Sequence, residues 1–393
     1  MRNVKVGWLH EHLLLWDGGI RYVYELARRL AREADVALYT VDSLPDVARR
    51  FEEAGVNVVQ VPLLSANRLG FWLTLPHQMN SRRSKLGQAL DSCDVVVSSS
   101  FPMNYVATAC HPTTIGVYFE PPAFLYDIDY IGGLPLVQRI VARLGGCLAR
   151  KYDIAAARRA TEMVTITHFA ADSGERTYGR IAHVLYPGVD TTIFGRRHDG
   201  GLRERYANHS VILHSASYFT PVKGTHFLIK ALPLIAEKVP DARLLILNCK
   251  RNDRVKARLV SQALRLGVLD RIEFLPFIQE ELLPSYYSVA KVVVQPSINE
   301  SFRLSLQEGA ACEVPGVCFT GGSAEEDIAD GVTGLIVPFG NIAGLSGAVA
   351  KVLTDDDRRE TMGKAARERV QRQFNWDVSA GTLCRLVRQL VAT

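Results

Sequence analysis

Val292–Pro315 reads VVVQPSINESFRLSLQEGAACEVP. The β-branched run VVVQ predicts a buried strand, PSINES a polar turn, and the stretch from near Phe302 a helix. Strand, turn and helix in that order form the repeating unit of a parallel α/β sheet. Glu300 sits on the turn and Glu308 past the first helical turn, so both carboxylates can face one ligand. A helix start offers free N–H groups and a partial positive charge, which suits phosphate. A carboxylate accepts two hydroxyl hydrogen bonds in the way a vicinal diol offers them. Diphosphate at the helix start, sugar hydroxyls on Glu300 and ribose hydroxyls on Glu308 together describe a nucleotide sugar. The same spacing also suits an acidic residue aiding the helix dipole and a solvated helical glutamate.

The same alternation extends outward along the chain. In the first half the β-rich runs are Val4–Leu9, Asp35–Thr40, Asn57–Pro62, Asp94–Ser98, Thr114–Phe119, Met163–Thr167 and His183–Tyr186. In the second they are Val211–Ser215, Arg243–Leu247, Arg271–Leu275, Lys291–Gln295, Pro315–Phe319 and Gly334–Val337. The pattern runs out at YPGVDTTIFGRRHDGG and then restarts. The reading is therefore α/β throughout: a first Rossmann-like domain over 1–190, a linker over 191–209, a second over 210–373, and a closing amphipathic helix over 374–393. With 393 residues the chain is long enough for two such domains, because single cores stop growing at roughly 250–300 residues. Open α/β sheets bind ligands beyond the carboxyl ends of their strands, so two of them facing each other are expected to hold substrate in a cleft.

Several further segments carry a family pattern. ESFRLSLQEGAACEVPGV resembles the E-x7-E region of the retaining glycosyltransferases of family 4, which have the GT-B fold. GGSAEEDIADGVTGLIVPFGNIAGLSGAV is similar to their GG-x-x-E-(I/V)-x-DG-x-TG-x-L-V-P segment, with seven residues between Gly322 and Asp330 where that pattern has five. KGTHFLIKALPLI resembles the donor-site K-G segment, VLYPGVDTTIF the interdomain stretch, DGGIRYVYELARRL the Gly-Gly loop with its helix, and FNW at Phe374 the start of the closing helix.

The resemblance implies that Glu300 contacts the donor sugar, Glu308 the ribose and Lys223 the diphosphate, and that Gly18 and Gly19 let backbone approach the donor. Glu300 and Lys223 are then the catalytic candidates. Tyr218, Phe302, Arg303 and Leu304 complete the donor side, and His111 and Glu120 are the acceptor-side candidates. Physically, Lys223 precedes a glycine that opens a helix, so ammonium and N–H groups could share one anion. Its other reading is a surface lysine.

The chain departs from this pattern in places. The family's arginine five residues before the donor lysine is Tyr218 here, and its glycine after the phenylalanine is Arg303. A cation at a helix start opposes the dipole unless an anion lies beside it. Arg303 is thus expected either to meet the donor diphosphate in place of the lost charge, or to turn its guanidinium to solvent along its stem. Where lipid-acceptor branches carry histidine before a proline pair, YFEPPAFLYD has Phe119 and then Glu120.

Composition narrows the rest. Forty-six basic against 41 acidic residues leave +5, without the asymmetry of a nucleic-acid binder. Seven cysteines without a C-x-x-C pair form no disulfide framework and suit a reducing cytoplasm. The N-terminus lacks a signal peptide's cleavage site and reads as the first strand. His10 and His12 flank Glu11 without metal-ligand spacing, so no metal and no cofactor beyond the nucleotide-sugar substrate are expected. There is no G-x-G-x-x-G after the first strand and no P-loop, so dehydrogenase and P-loop readings lose their main support. Leu134–Arg159 carries six basic residues and only Asp153 as an acid. It reads as a membrane-surface helix on the cytoplasmic face, suited to a lipid-linked or glycan acceptor, or as a domain helix with a solvated basic face. A nucleotide-sugar epimerase of similar shape and a non-catalytic nucleotide-sugar-binding subunit are the rival readings.

Overall fold

The computed structural model describes residues 4–14, 16–61, 85–127, 131, 136–215, 221–247 and 253–392. The chain divides into two compact units, one of residues 1–186 with 376–393 and one of residues 187–375.

Among the described residues, the main sheet of the first unit is built from β1 (Lys5–His10), β3 (Asp35–Thr40), β5 (Asn57–Gln60), β6 (Val95–Ser99), β7 (Thr114–Tyr118), β8 (Glu162–Thr165) and β9 (His183–Val184). Their order is β5-β3-β1-β6-β7-β8-β9, all parallel. The sequence reading missed a small pair, β2 (His12–Leu13) with β4 (Asp42–Ser43). Two-residue strands leave no periodicity to read. β6 is buried at every position, as a sheet covered on both faces requires.

Helix Gly18–Leu30 starts where Asp17 Oδ1 accepts from Ile20 N–H at 3.0 Å and ends on Arg28 and Arg29, both favourable to its dipole. Helix Trp376–Ala392 belongs to this unit. It buries Trp376, Leu383, Leu386 and Val387, sets Trp376 edge-on to Tyr22 at 5.8 Å, and donates from Ser379 Oγ to the Tyr186 carbonyl at 2.6 Å.

Helix Leu136–Arg159 runs through Gly145 and Gly146 without a break. Its Asp153 is fully buried and accepts from Tyr126 at 2.9 Å and Tyr178 at 2.8 Å. Burial, opposed by those two hydroxyls, pushes Asp153 up to about 6. The C-terminal part of the basic helix is therefore packed as a domain helix. Among the described residues no helix is long and apolar enough to cross a membrane.

The second unit repeats the plan with β10 (Ser210–Ser215), β11 (Ala242–Leu247), β12 (Ile272–Phe274), β13 (Val292–Gln295), β14 (Gly316–Phe319) and β15 (Gly334–Val337), ordered β12-β11-β10-β13-β14-β15 and parallel. Its core joins Leu228, Ile229 and Leu232 of helix Thr225–Lys238 to Leu345 and Val349 of helix Ile342–Thr354 over Ile212, Val292 and Val317.

The stretch expected as a linker, 191–209, is part of this unit. Phe194 is fully buried beside Tyr287, and helix Gly200–Arg205 is followed by Tyr206, whose hydroxyl donates to Glu273 at 3.0 Å. A buried aromatic anchors what composition alone reads as a spacer.

Candidate functional site

In both sheets the strand order reverses once, between β1 and β6 and between β10 and β13. Ligands of doubly wound sheets bind beyond the carboxyl ends of the strands at that reversal. The chain leaves β10 towards Lys223 and leaves β13 towards Glu300. These two loops are tied together: Ile298 N–H donates to the Val222 carbonyl at 2.8 Å. Gly224, at φ +69°, approaches so closely that a Cβ there would lie 1.8 Å from the Pro296 carbonyl oxygen.

The result is an ion pair between Lys223 Nζ and Glu300 Oε1. Ser297 Oγ donates to the other carboxylate oxygen at 2.7 Å. Burial alone would raise the Glu300 carboxyl, but the Lys223 ammonium and the hydrogen bonds from Lys223 and Ser297 outweigh it and hold it below the usual carboxylate range. Lys223 is thus not a free surface lysine. It closes a short 3-10 turn, Pro221–Lys223, immediately before helix Thr225–Lys238.

Beneath the pair, His214 is fully buried with Nδ1 2.8 Å from the Val294 carbonyl and Nε2 2.9 Å from Thr225 Oγ1. A carbonyl only accepts, so Nδ1 carries the proton and Nε2 accepts from the threonine. Burial lowers this histidine to about 4.

The helix after Glu300 spans Leu304–Ala311, two residues later than expected. Phe302 is buried edge-on to Phe374 at 5.4 Å, and Leu304 is the first helical residue. Glu308 is not a solvated helical glutamate: it is 6% exposed and accepts from Tyr287 at 2.8 Å. Tyr287 lies in helix Leu283–Val289, and burial, reinforced by Glu308, raises its hydroxyl far above the ordinary range. Sequence reasoning missed Ser297 and Tyr287. Ser297 was within reach of it, being on the Glu300 loop, but only the fold brings Tyr287 to Glu308.

Arg303 corrects both expectations held for it. Its side chain is 0% exposed and paired with Asp327 at 3.0 Å, so it neither turns to solvent nor offers an uncommitted charge to a ligand. Burial works against the guanidinium, and the Asp327 charge more than restores it, so Arg303 stays protonated. Tyr218 lies outside the described residues.

In the first unit, Gly18 and Gly19 open the helix that follows β1, with φ in the ordinary range. A Cβ on Gly18 would meet nothing within 4 Å, and one on Gly19 only Asp17 Oδ1 at 3.5 Å. The fold itself does not require glycine there. His10, at the carboxyl end of β1, is held with Nδ1 2.8 Å from Ser99 Oγ, and burial, then His12, lowers it to about 4. Glu120 lies just past β7, half-buried, at the carboxyl edge.

His111 is a correction. It follows helix Met103–Cys110 and precedes β7, with Nδ1 2.8 Å from the Thr113 carbonyl and Nε2 3.2 Å from the Cys93 carbonyl. Cys93 and Thr113 precede β6 and β7, so this ring sits at the amino edge of the sheet, opposite the ligand edge.

Two family models match consecutive parts of the chain: Glycosyltransferase Family 4 over residues 16–193 and Glycosyl transferases group 1 over residues 204–369. With the two parallel sheets, this defines the class. The chain belongs to the family-4 type of glycosyltransferases and has the GT-B fold.

Among curated relatives, it is 33% identical over 225 residues to a D-inositol 3-phosphate glycosyltransferase of Kribbella flavida, covering 53% of this chain and 51% of that protein. It is 31% identical over 213 residues to a GDP-mannose-dependent alpha-(1-6)-phosphatidylinositol monomannoside mannosyltransferase of Mycolicibacterium smegmatis, covering 52% and 55%. The chain thus spans about half the length of these two relatives. In fold it is similar to a sucrose-phosphate synthase from Thermosynechococcus elongatus, with a TM-score of 0.80 at 21% identity over 99% of this chain and 100% of that one. It is similar also to Anabaena HepE in complex with UDP and glucose, with a TM-score of 0.78 at 18% identity over 98% and 100%.

Proposed function

We propose that the protein transfers a sugar, with retention, from a nucleoside diphosphate sugar to an acceptor hydroxyl, without a metal. The bond from the anomeric carbon to the diphosphate breaks, the acceptor oxygen bonds that carbon, and the acceptor's proton passes to the released diphosphate. The observation that carries this reading is the Lys223–Glu300 pair at the strand-order reversal of the second sheet, beside the starts of two helices. Lys223 and the helix N–H groups receive the diphosphate and stabilise its growing charge, the electrostatic contribution usually dominant in such transfers. Glu300, kept ionised, accepts from sugar hydroxyls, and Glu308 accepts from the ribose.

Retention follows the family resemblance. The acceptor is proposed to be a glycan or lipid-linked alcohol, supported by the relative named for a phosphatidylinositol monomannoside and by the basic composition of residues 134–159. On this reading the protein visits the anionic face of a membrane from the cytoplasm.

Thermal-shift titration against UDP-, GDP-, ADP- and dTDP-sugars tests the reading, because a ligand at 100 times its Kd adds about 2.7 kcal/mol of stability. One nucleotide class is expected to stabilise the protein, and sugar transfer with that donor to persist in EDTA. Absence of stabilisation by every donor removes the proposal. Loss of activity in chelator, restored by Mg²⁺, removes its metal-free part.

A further inference from the structure

Two of the places where the second unit leaves the family pattern, Arg303 and the lengthened stretch between Gly322 and Asp330, meet in one buried ion pair. The side chains of Arg303 and Asp327 are both 0% exposed. Arg303 Nη1 donates to Asp327 Oδ2 at 3.0 Å, Nη2 to the Gly321 carbonyl at 2.9 Å, and the Arg303 backbone N–H to Asp327 Oδ1 at 3.3 Å.

Asp327 is engaged from the other side as well. Ser323 Oγ donates to its Oδ2 at 2.7 Å, and Gln307 Nε2 to its backbone carbonyl at 3.1 Å. The loop so fastened grips Glu300 by its backbone. Ser323 N–H donates to the Glu300 carbonyl at 3.0 Å, and Gly322, at φ +59°, comes so near that a Cβ would lie 2.2 Å from that oxygen. Glu308 has a separate support, Tyr287, on a different helix.

We propose that Arg303 and Asp327 are positioning residues that hold the Glu300 loop. They thereby set the site's grip on the sugar of a nucleotide sugar, leaving its grip on the nucleotide to Glu308. The proposal rests on the reading of Glu300 given above. A buried pair stripped of one partner leaves an uncompensated charge, whereas removing both charges together is often tolerated. The informative variant is therefore Arg303→Met with Asp327→Leu, checked for folding by its thermal midpoint.

Calorimetry with GDP and GDP-mannose, UDP and UDP-glucose, ADP and ADP-glucose, and dTDP and dTDP-glucose gives the ratio of nucleotide-sugar to nucleotide Kd. For the base the protein prefers, the double variant is expected to bind the nucleoside diphosphate within about twofold of wild type. The ratio should rise about tenfold, the size of one lost charge-assisted contact, and kcat should fall with it. Arg303→Lys, which can keep Asp327 but not Gly321 as well, should fall between. An unchanged ratio in the double variant while Glu300→Ala shifts it overturns the positioning role alone. If Glu300→Ala leaves the ratio unchanged too, or none of GDP, UDP, ADP and dTDP binds wild type, the reading of the site fails and the proposal with it.

Discussion

Glu300 and Glu308 lie eight residues apart in sequence but in different surroundings, and their variants should fail in different ways. Glu308 shares Oε2 with a buried tyrosine and lies inside the helix, where its contact to a ribose would be made in ground and transition states alike. Glu308→Ala is therefore expected to weaken donor binding by roughly 10- to 100-fold, the worth of a charge-assisted hydrogen bond, with a smaller change in kcat. Glu300→Ala should raise the nucleotide-sugar to nucleotide Kd ratio about tenfold and lower kcat more, by about 100-fold, because hydroxyl contacts matter more as the sugar becomes cation-like. Equal donor affinity of Glu308→Ala and wild type in calorimetry would remove the ribose assignment. The carboxyl of Glu300 is held below the usual range, so its ionised form is lost only as pH falls through that lowered value. The kcat profile between pH 5 and 7 should then show no carboxylate inflection that disappears in Glu300→Gln.

At the level of loops and helices, two glycines separate folding from function. Gly224 combines φ +69° with a Cβ position 1.8 Å from a backbone oxygen, and that contact brings the Lys223 turn against the Glu300 loop. Gly224→Ala should destabilise the second unit by more than about 2 kcal/mol, since left-handed backbone alone costs roughly 1–2. Urea denaturation measures this, and an unchanged midpoint would contradict the close approach. Gly18 has open space and ordinary φ at the first turn of its helix, so Gly18→Ala should leave the urea midpoint unchanged or raise it by up to about 1 kcal/mol. If the donor needs that backbone bare, the same variant should lose donor turnover while remaining fully folded.

Across the whole molecule, pH dependence and the closing helix offer the clearest tests. His10 and His214 are lowered from 6.5 to about 4 by burial, so the unfolded chain binds more protons than the folded one between those values. Stability from these histidines is present above pH 6.5 and is lost as pH falls towards 4, on the order of 3 kcal/mol for each. Asp153 and Asp327, raised to about 6 by burial, act in the opposite sense, losing stability as pH rises from 3.8 to 6. Net acid destabilisation should thus begin near pH 6.5 and flatten below 6. His214→Gln should shrink the first part of that fall in urea midpoints measured from pH 4.5 to 7.5. Deleting 376–393 strips the first unit of Trp376, Leu383, Leu386 and Val387, each contributing about 1.5–3 kcal/mol by burial. The first unit should then lose cooperative unfolding, while residues 187–375 keep theirs.

The alternation of β-rich runs with helices, the restart after residue 209, and the glycines and carboxylates just past their strands could all be read locally. Each depends on a few consecutive residues: a β-branched run, a turn, a helix start. The class of protein follows from such short-range patterns recurring in order. His111 could have been read the same way, since a residue between a helix and the following parallel strand necessarily lies at the amino edge of the sheet. Other features depend on partners that are distant in sequence. Phe194 turns a polar-looking spacer into part of the second unit because Tyr287 lies across from it. Glu308 is buried because the same tyrosine reaches it, and Arg303 is committed to Asp327, 24 residues on. A cation at a helix start looks locally unfavourable, and only the tertiary structure supplies the anion that resolves it. That anion is the chain's own carboxylate, because a guanidinium with no access to water requires a fixed partner within hydrogen-bond distance.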